Sequence, residues 1–160
     1  MEKPEFPQIY QQFKEKVWRL VSKFVSGHHD RQDLFQEVFL KIHNALPAFR
    51  KEAALATWIY RITANTAINH LKAQKRRELL HQLLSGLRLV HEESLKELED
   101  PIVLPLKLLN PRQKMILLMA DVEEIKLEDI AAALKLPIGT VKSNLSRARE
   151  IIRKELGKNG

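Results

Sequence analysis

The sequence contains no cysteine among its 160 residues. Disulfide bonds, thiolate zinc sites and thiol-based redox sensing within the chain are therefore excluded. Long apolar runs are missing as well, since none approaches the roughly 20 residues that a membrane span needs. The first ten residues carry acids and two prolines where a signal peptide would have an apolar segment. We therefore expect a cytoplasmic protein without membrane insertion of its own.

Residues that could carry out catalysis are equally scarce. Glycine occurs only five times, and no glycine-rich phosphate-binding loop is present. The six histidines lack the carboxylate or cysteine neighbours that a metal site needs. No Ser–His–Asp arrangement or other nucleophile motif occurs. We predict a protein that is not an enzyme, with no catalytic residues, no metal and no cofactor.

Positive charge, by contrast, is abundant. Lysine and arginine number 27 against 20 aspartates and glutamates, which gives a net charge of +7. Two basic segments, residues 1–78 and 112–160, flank an acidic one, residues 79–111. A basic balance favours an anionic partner, either a nucleic acid or a membrane surface. Two anion-binding modules joined by a linker would produce this pattern, and a single globular domain would too.

Hydrophobic residues recur with helical spacing along almost the whole chain. In the N-terminal half this spacing predicts three helices, over residues 9–25, 33–46 and 57–84. Thr57 is the predicted N-cap of the third helix, and Asn110 followed by Pro111 indicates another helix start. We predict an all-α fold of two small helical domains joined by a flexible acidic linker: residues 6–80, linker 81–103, and residues 104–158.

The most informative stretch lies near the C-terminus and has the layout of a helix-turn-helix. Residues 127–134 form a short amphipathic pattern, residues 136–139 interrupt it, and a second helix is predicted from Thr140 onward. No acidic residue lies between Ile130 and Arg149. Lysine, arginine and serine on the exposed face of this second helix can bind phosphates or base edges. A solvated basic helix face is the alternative, but the combination of features favours DNA binding.

Residues 128–153, EDIAAALKLPIGTVKSNLSRAREIIR, closely resemble the fourth conserved region of bacterial sigma factors of the extracytoplasmic-function class. The resemblance implies that the second helix reads the upstream, minus-thirty-five promoter element in the major groove. The chain departs from the family at Asn144, where arginine is frequent. The residues expected at this element are Thr140, Lys142, Ser143, Ser146, Arg147 and Arg149.

Residues 33–41, DLFQEVFLK, resemble part of the second conserved region of the same family. From the pattern alone the acidic residues here could be ordinary solvated side chains. The resemblance instead implies a docking face for core RNA polymerase, and an exposed leucine within a polar patch suits a protein interface. The residues expected to contact the polymerase are Asp33, Gln36, Glu37, Leu40 and Lys41.

Residues 49–62, FRKEAALATWIYRI, continue this resemblance and are followed by a basic stretch that has no acid up to Arg77. Asparagine can read a base edge, and cations can guide a single strand. The resemblance implies that the downstream, minus-ten element is melted here and that a loop near residues 52–56 captures one base. The residues expected to contact DNA are Arg61, Asn65, Asn69, Lys72, Lys75, Arg76 and Arg77.

Three aromatic or apolar positions in this block need separate interpretation. Leu55 stands where the family often has an aromatic residue, and leucine cannot stack on a base as a flat ring does. Trp58 is predicted to pack in the core and support the loop, because it shares a helical stripe with Ile62 and Asn65. The sequence leaves the role of Tyr60 open.

The primary hypothesis is a sigma factor that binds core RNA polymerase and recognises and melts promoter DNA, with an anti-sigma factor as a further partner that the family resemblance implies. One alternative is a stand-alone helix-turn-helix regulator that binds duplex DNA as a dimer. Another is a basic helical module for protein interaction. Binding to core polymerase distinguishes the first hypothesis from the other two.

Overall fold

A computed structural model describes residues 3–50, 54–85 and 103–158. Within these ranges every regular element is helical, which confirms the predicted all-α fold. The predicted linker falls mainly on residues 86–102, which lie outside the described residues. The α-helices in chain order are α1 (Phe6–Phe24), α2 (His28–Ala45), α3 (Leu55–Leu84), α4 (Val103–Leu106), α5 (Pro111–Leu117), α6 (Leu127–Leu134) and α7 (Ile138–Lys158).

Helices α1, α2 and α3 form an N-terminal bundle around the apolar stripes that the sequence predicts. Residues three and four apart share a helix face, so each stripe turns one side of its helix inward. Burying a leucine, isoleucine or phenylalanine stabilises the fold by about 1.5–3 kcal/mol per side chain. The fully buried side chains of α1 and α2 include Ile9, Phe13, Leu20, Phe24, Leu34 and Ile42.

Helix α2 begins at His28, five residues before the position that the sequence indicated. The apolar pattern starts only at Leu34, which explains why the first turn was missed. Gly27 precedes the helix with φ +91°, a left-handed conformation that glycine adopts without steric cost. Arg31 holds the junction, because its Nε donates to the carbonyls of Ser22 (3.0 Å) and Val25 (3.2 Å) in the last turn and cap of α1.

Helix α3 starts at Leu55 with Ala54 as its N-cap, so the prediction that Thr57 is the N-cap was wrong. The N–H of Trp58 already donates to the Ala54 carbonyl (3.1 Å), which puts Thr57 inside the first turn. The helix spans 30 residues, or about 45 Å at 1.5 Å per residue. It continues to Leu84, four residues past the predicted domain boundary at residue 80.

In the C-terminal unit, helix α5 begins with a cap that the sequence predicted. The side chain of Asn110 accepts from the Gln113 N–H (2.8 Å), and Gln113 Oε1 accepts in return from the Asn110 N–H (3.2 Å). Pro111 occupies the first helical position, where its missing N–H costs nothing. A five-residue π-helical turn, Leu118–Val122, follows α5 and leads toward α6.

Helices α6 and α7 form the predicted helix-turn-helix. Helix α6 has the predicted bounds, and its C-cap residue, Lys135, adopts a left-handed conformation (φ 54°). Helix α7 begins at Ile138, two residues before the predicted start at Thr140. Its inward face carries Val141, Leu145 and Ala148, all buried, as the spacing predicted.

The two helical units pack against each other and share one continuous apolar cluster. Helix α3 contacts both α5 and α6, while α1 contacts the π-helical turn. Arg19 of α1 donates to both carboxylate oxygens of Glu123 (3.3 and 3.2 Å), and only 6% of the Glu123 side chain is exposed. This interdomain ion pair raises the pKa of Arg19 through its hydrogen bond and charge interaction with Glu123.

Candidate nucleic-acid interface

The outward face of α7 presents the residues predicted for the upstream element. Packing of the inward apolar face fixes the rotation of the helix, and five of the predicted residues are exposed, namely Lys142, Ser143, Ser146, Arg147 and Arg149. Lys142 and Arg147 form no ion pair with any residue that the structure describes. Two unpaired cations and two hydroxyl groups on one helix face can therefore contact phosphates or base edges.

Several polar groups of α7, that of Ser143 among them, also form hydrogen bonds within the protein. The N–H of Thr140 donates to the Pro137 carbonyl (3.0 Å), so this N–H is not a free helix-terminal donor. The Thr140 carbonyl accepts from Asn144 Nδ2 (2.8 Å) and from the Ser143 hydroxyl (3.1 Å). Asn144, which stands where the family often has arginine, is thus tied to its own helix.

Arg149 differs from the other residues predicted to contact the upstream element. Its guanidinium donates to both carboxylate oxygens of Asp121 in the π-helical turn, at 3.0 and 2.6 Å. This bidentate contact raises the pKa of Arg149. It anchors α7 to the preceding segment, so Arg149 must break the contact before it can bind DNA.

On α3 the predicted downstream-element residues fall into three groups. Asn65 and Asn69 are exposed and line a shallow pocket between α2 and α3. Arg61 lies elsewhere, since its guanidinium donates to the carbonyls of Ala132 (3.0 Å) and Ala133 (3.3 Å) near the end of α6. The remaining cations are exposed on the second half of the helix: Lys72, Lys75, Arg76 and Arg77.

Trp58 packs as the sequence predicted. Its ring centroid lies 4.7 Å from that of the buried Phe49, and the side chain is partly buried against the core. Tyr60, which the sequence left open, is also partly buried against the core. Burial raises the pKa of the Tyr60 hydroxyl, and the charge of Glu123 raises it further. Of the predicted loop at residues 52–56, residues 52 and 53 lie outside the described part of the chain.

The predicted polymerase-binding residues form two neighbouring stripes on α2. Gln36 and Leu40 face a groove between α1 and α2, where Leu40 remains 62% exposed. Glu37 instead lies between Lys41 Nζ (3.4 Å) and His70 Nδ1 of α3 (3.5 Å). Asp33 is exposed, and its carboxylate lies 3.6 Å from His29 Nε2.

Sequence reasoning missed an aromatic groove, formed by Phe6, Tyr10, Trp18, Phe35 and Phe39. Its rings meet mainly edge to face, with centroids 5.0 Å apart for Tyr10 and Phe39 and 5.5 Å apart for Trp18 and Phe35. Such pairs add about 0.5–1.5 kcal/mol beyond their burial. The available signal was the placement of Phe6, Tyr10 and Trp18 away from the buried stripe of α1.

Neither a group of metal ligands nor a membrane-spanning helix is found among the described residues. Among the described residues no three His, Cys, Asp or Glu side chains come close enough to hold a metal ion. None of the described helices is sufficiently long and apolar to cross a membrane.

Comparison with protein families and known proteins agrees with this layout. Residues 9–77 match the family model for Sigma-70 region 2, and residues 106–152 match that for Sigma-70 region 4. The RNA polymerase sigma-H factor of Pseudomonas aeruginosa is 32% identical, over 97% of this chain and 88% of that protein. The ECF RNA polymerase sigma-E factor of Escherichia coli K12 is 34% identical, over 88% of this chain and 80% of that protein.

Solved structures show the same fold. The sigma factor RpoE from Bartonella quintana, in complex with the anti-sigma factor NepR, has a TM-score of 0.73 at 23% identity, over 95% of this chain and 96% of that one. CnrH in complex with the cytosolic domain of CnrY has a TM-score of 0.69 at 18% identity, over 97% of this chain and 89% of that one. Because the two sigma-70 regions and relatives above 30% identity cover most of the chain, it belongs to the sigma-70 family, in the extracytoplasmic-function class.

Proposed function

We propose that this chain is a promoter-specificity subunit of RNA polymerase that reads two promoter elements with two different helices. The observation that carries the proposal is the presence of both sigma-70 regions in one chain, residues 9–77 and 106–152. Each region contributes an exposed basic face, one on α7 and one on α3. The chain binds core polymerase, directs it to a promoter and helps to melt the DNA.

Helix α7 reads the upstream element in the major groove. Lys142 and Arg147 supply the charge, and Ser143 and Ser146 supply short polar contacts to phosphates or bases. Thr140 contributes from the first turn, and Arg149 joins only when it leaves Asp121. The exposure of these four side chains and the lack of an ion pair at either cation support this role.

Helix α3 holds the downstream element after it melts. Asn65 and Asn69 face one pocket, and their amides can bind the edges of unpaired bases. The exposed cations farther along the helix attract the phosphates of the single strand. Arg61 becomes available to DNA only when α6 moves away, because its guanidinium is engaged by the α6 carbonyls.

Core polymerase docks on the outer face of α2 and the adjacent aromatic groove. Leu40 and Gln36 line this groove, whose wall is mostly apolar and whose rim is charged, as in many protein interfaces. Asp33, Glu37 and Lys41 lie beside it and add polar contacts. The exposure of a large apolar side chain beside an apolar groove supports a protein partner.

A stand-alone regulator that binds duplex DNA is not favoured. Such a protein needs a helix-turn-helix and a dimer contact, but it has no use for the basic single-strand face of α3. Relatives that align along most of their own length are named as RNA polymerase sigma factors. Catalysis then belongs to the polymerase, the protein itself is not an enzyme, and its place is the cytoplasm.

An anti-sigma factor is a further proposed partner. Of the solved structures with a similar fold, the sigma factor RpoE is in complex with the anti-sigma factor NepR, and CnrH is in complex with the cytosolic domain of CnrY. A partner that covers the groove or the basic faces of this chain would prevent binding to polymerase and promoter. Such inhibition would be steric, because the bound partner would occupy the surface that polymerase or promoter DNA needs.

The decisive experiment is transcription with purified core polymerase and this chain on a pool of random promoters. We expect a tight complex and transcripts that start at a shared pair of sequence elements. A Leu40→Asp variant, which puts a charge into the groove, should lose core binding while keeping its helical content by circular dichroism. If the wild-type chain protects duplex DNA alone and never joins core polymerase, the stand-alone alternative is correct.

A further inference from the structure

The pocket between α2 and α3 includes a residue that the sequence did not single out. Asn65 and Asn69 line it from α3, and Asn44 lines it from the last turns of α2. Ile62 adds an apolar surface and Lys41 adds a positive charge. Two helices that pack directly against each other therefore bring three amides to one concave site.

These three side-chain amides have no hydrogen-bond partner among the described residues. Asn44, Asn65 and Asn69 are exposed, and their side chains make no hydrogen bond to any residue that the structure describes. The other described asparagines, Asn110 and Asn144, bond within their own helices at 2.8 Å. The side-chain amides of Asn44, Asn65 and Asn69 are therefore available to a ligand.

The chemistry of the pocket fits an unpaired base. An asparagine amide presents a donor beside an acceptor, and this pair matches the amino group and adjacent ring nitrogen of adenine or cytosine. Ile62 can contact the flat face of the ring. No carboxylate lines the pocket, and the Lys41 ammonium at its edge can attract the neighbouring phosphate when it leaves Glu37, 3.4 Å away.

We propose that Asn44 is a specificity-determining residue, and that this pocket receives one unpaired adenine or cytosine of the melted downstream element. The inference rests on the proposed function and deepens it. Asn44 binds the edge of the base from α2 while Asn65 and Asn69 bind from α3. Lys41, predicted above as a polymerase contact, then serves the DNA strand as well.

The test uses core polymerase with the full chain and fork-junction DNA whose downstream element is single-stranded. Each position of that strand carries A, C, G, T or an abasic site in turn, and the dissociation constant is measured by fluorescence anisotropy. Wild-type protein should prefer A or C at one position by about tenfold, the order expected for a paired amide contact. An abasic site there should remove the preference.

Asn44→Ala should remove most of this preference at that position alone. Gln12→Ala is the matched control, because Gln12 is an exposed amide on α1 that does not line the pocket. Combining Asn44→Ala with Asn65→Ala should cost less than the sum of the two single losses, because both bind the same base. Alanine favours a helix more than asparagine does, so the fold should persist, as circular dichroism would verify.

The outcomes separate the inference from the proposed function. If Asn65→Ala abolishes the base preference and Asn44→Ala leaves it intact, the assignment of Asn44 is wrong. Equal weakening of all DNAs by Asn44→Ala, including the abasic one, would also overturn it. If the wild-type chain neither joins core polymerase nor binds the fork DNA in its presence, the proposed function itself fails.

Discussion

At the scale of single residues, the sequence identifies the charge of an arginine but not its partner. Arg61 and Arg149 were both predicted to contact DNA, yet each is bonded inside the protein. Lys142 and Arg147 were predicted in the same way and have no ion-pair partner in the described chain. The difference arises from tertiary contacts with α6 and the π-helical turn, which no local pattern contains.

The two unpaired cations lead to a prediction about salt dependence. Each phosphate contact released should change the slope of log affinity against log salt by about 0.9. Lys142→Ala with Arg147→Ala should therefore lower the slope of holoenzyme binding to the upstream element by about 2. Lys154→Ala is the control, since Lys154 lies on α7 but pairs with Glu150 (3.2 Å). A slope that stays constant in the double variant would place the DNA on another face.

At the scale of elements, helical spacing predicted most helices and their buried faces. Phe13, Val17 and Leu20 on α1, and Val141 and Leu145 on α7, are buried as expected. Helix starts were less accurate, because they depend on backbone conformation and on contacts between helices. The aromatic groove was missed for a related reason: its walls come from two helices, and periodicity describes one helix at a time.

Alanine substitution of two glycines, one before α2 and one in α7, should have opposite effects on stability. Gly27→Ala should destabilise the protein by about 1–2 kcal/mol, because φ +91° is unfavourable for a residue with a Cβ. Gly139→Ala in the first turn of α7 should instead stabilise it by about 0.5–1 kcal/mol, since alanine is the better helix former. Neither new Cβ would meet another atom within 4 Å, so crowding contributes to neither value. Urea unfolding measures both, and equal effects would contradict this explanation.

At the scale of the whole molecule, the two units are in contact, while the two promoter elements are far apart. Elements centred near minus ten and minus thirty-five lie roughly 25 base pairs apart, or about 85 Å at 3.4 Å per pair. A compact chain of this length has a radius of gyration of about 15 Å. We therefore expect the units to separate when the chain engages both elements, and we expect this separation to release Arg61 from the α6 carbonyls.

The interdomain ion pair should resist that separation. Glu123→Gln removes the carboxylate that pairs with Arg19 and should increase the separated population, measured by single-molecule energy transfer between labels on α2 and α7. Glu124→Gln is the control, because Glu124 is exposed and forms no ion pair with any described residue. Exchanging the charges, Arg19→Glu with Glu123→Arg, should restore the compact population. An unchanged distance distribution in Glu123→Gln would mean that apolar packing alone holds the units together.

The ion pair should also respond to salt. Arg19 is about half exposed, so added salt screens its attraction to Glu123. Wild-type protein should therefore separate more readily as the ionic strength rises, and the Glu123→Gln variant should show a smaller response.

The length of α3 has a consequence for promoter architecture. The helix carries the chain about 45 Å from its start before it ends at Leu84, and 17 residues, 86–102, lie between Ser85 and Val103. Fully extended, such a stretch reaches at most roughly 60 Å. We therefore expect the covalent connection to limit the distance between the two promoter elements that one molecule can contact at once. This limit is independent of the bases that α3 and α7 prefer. Promoters would then be selected by the length of their spacer as well as by the sequence of their two elements.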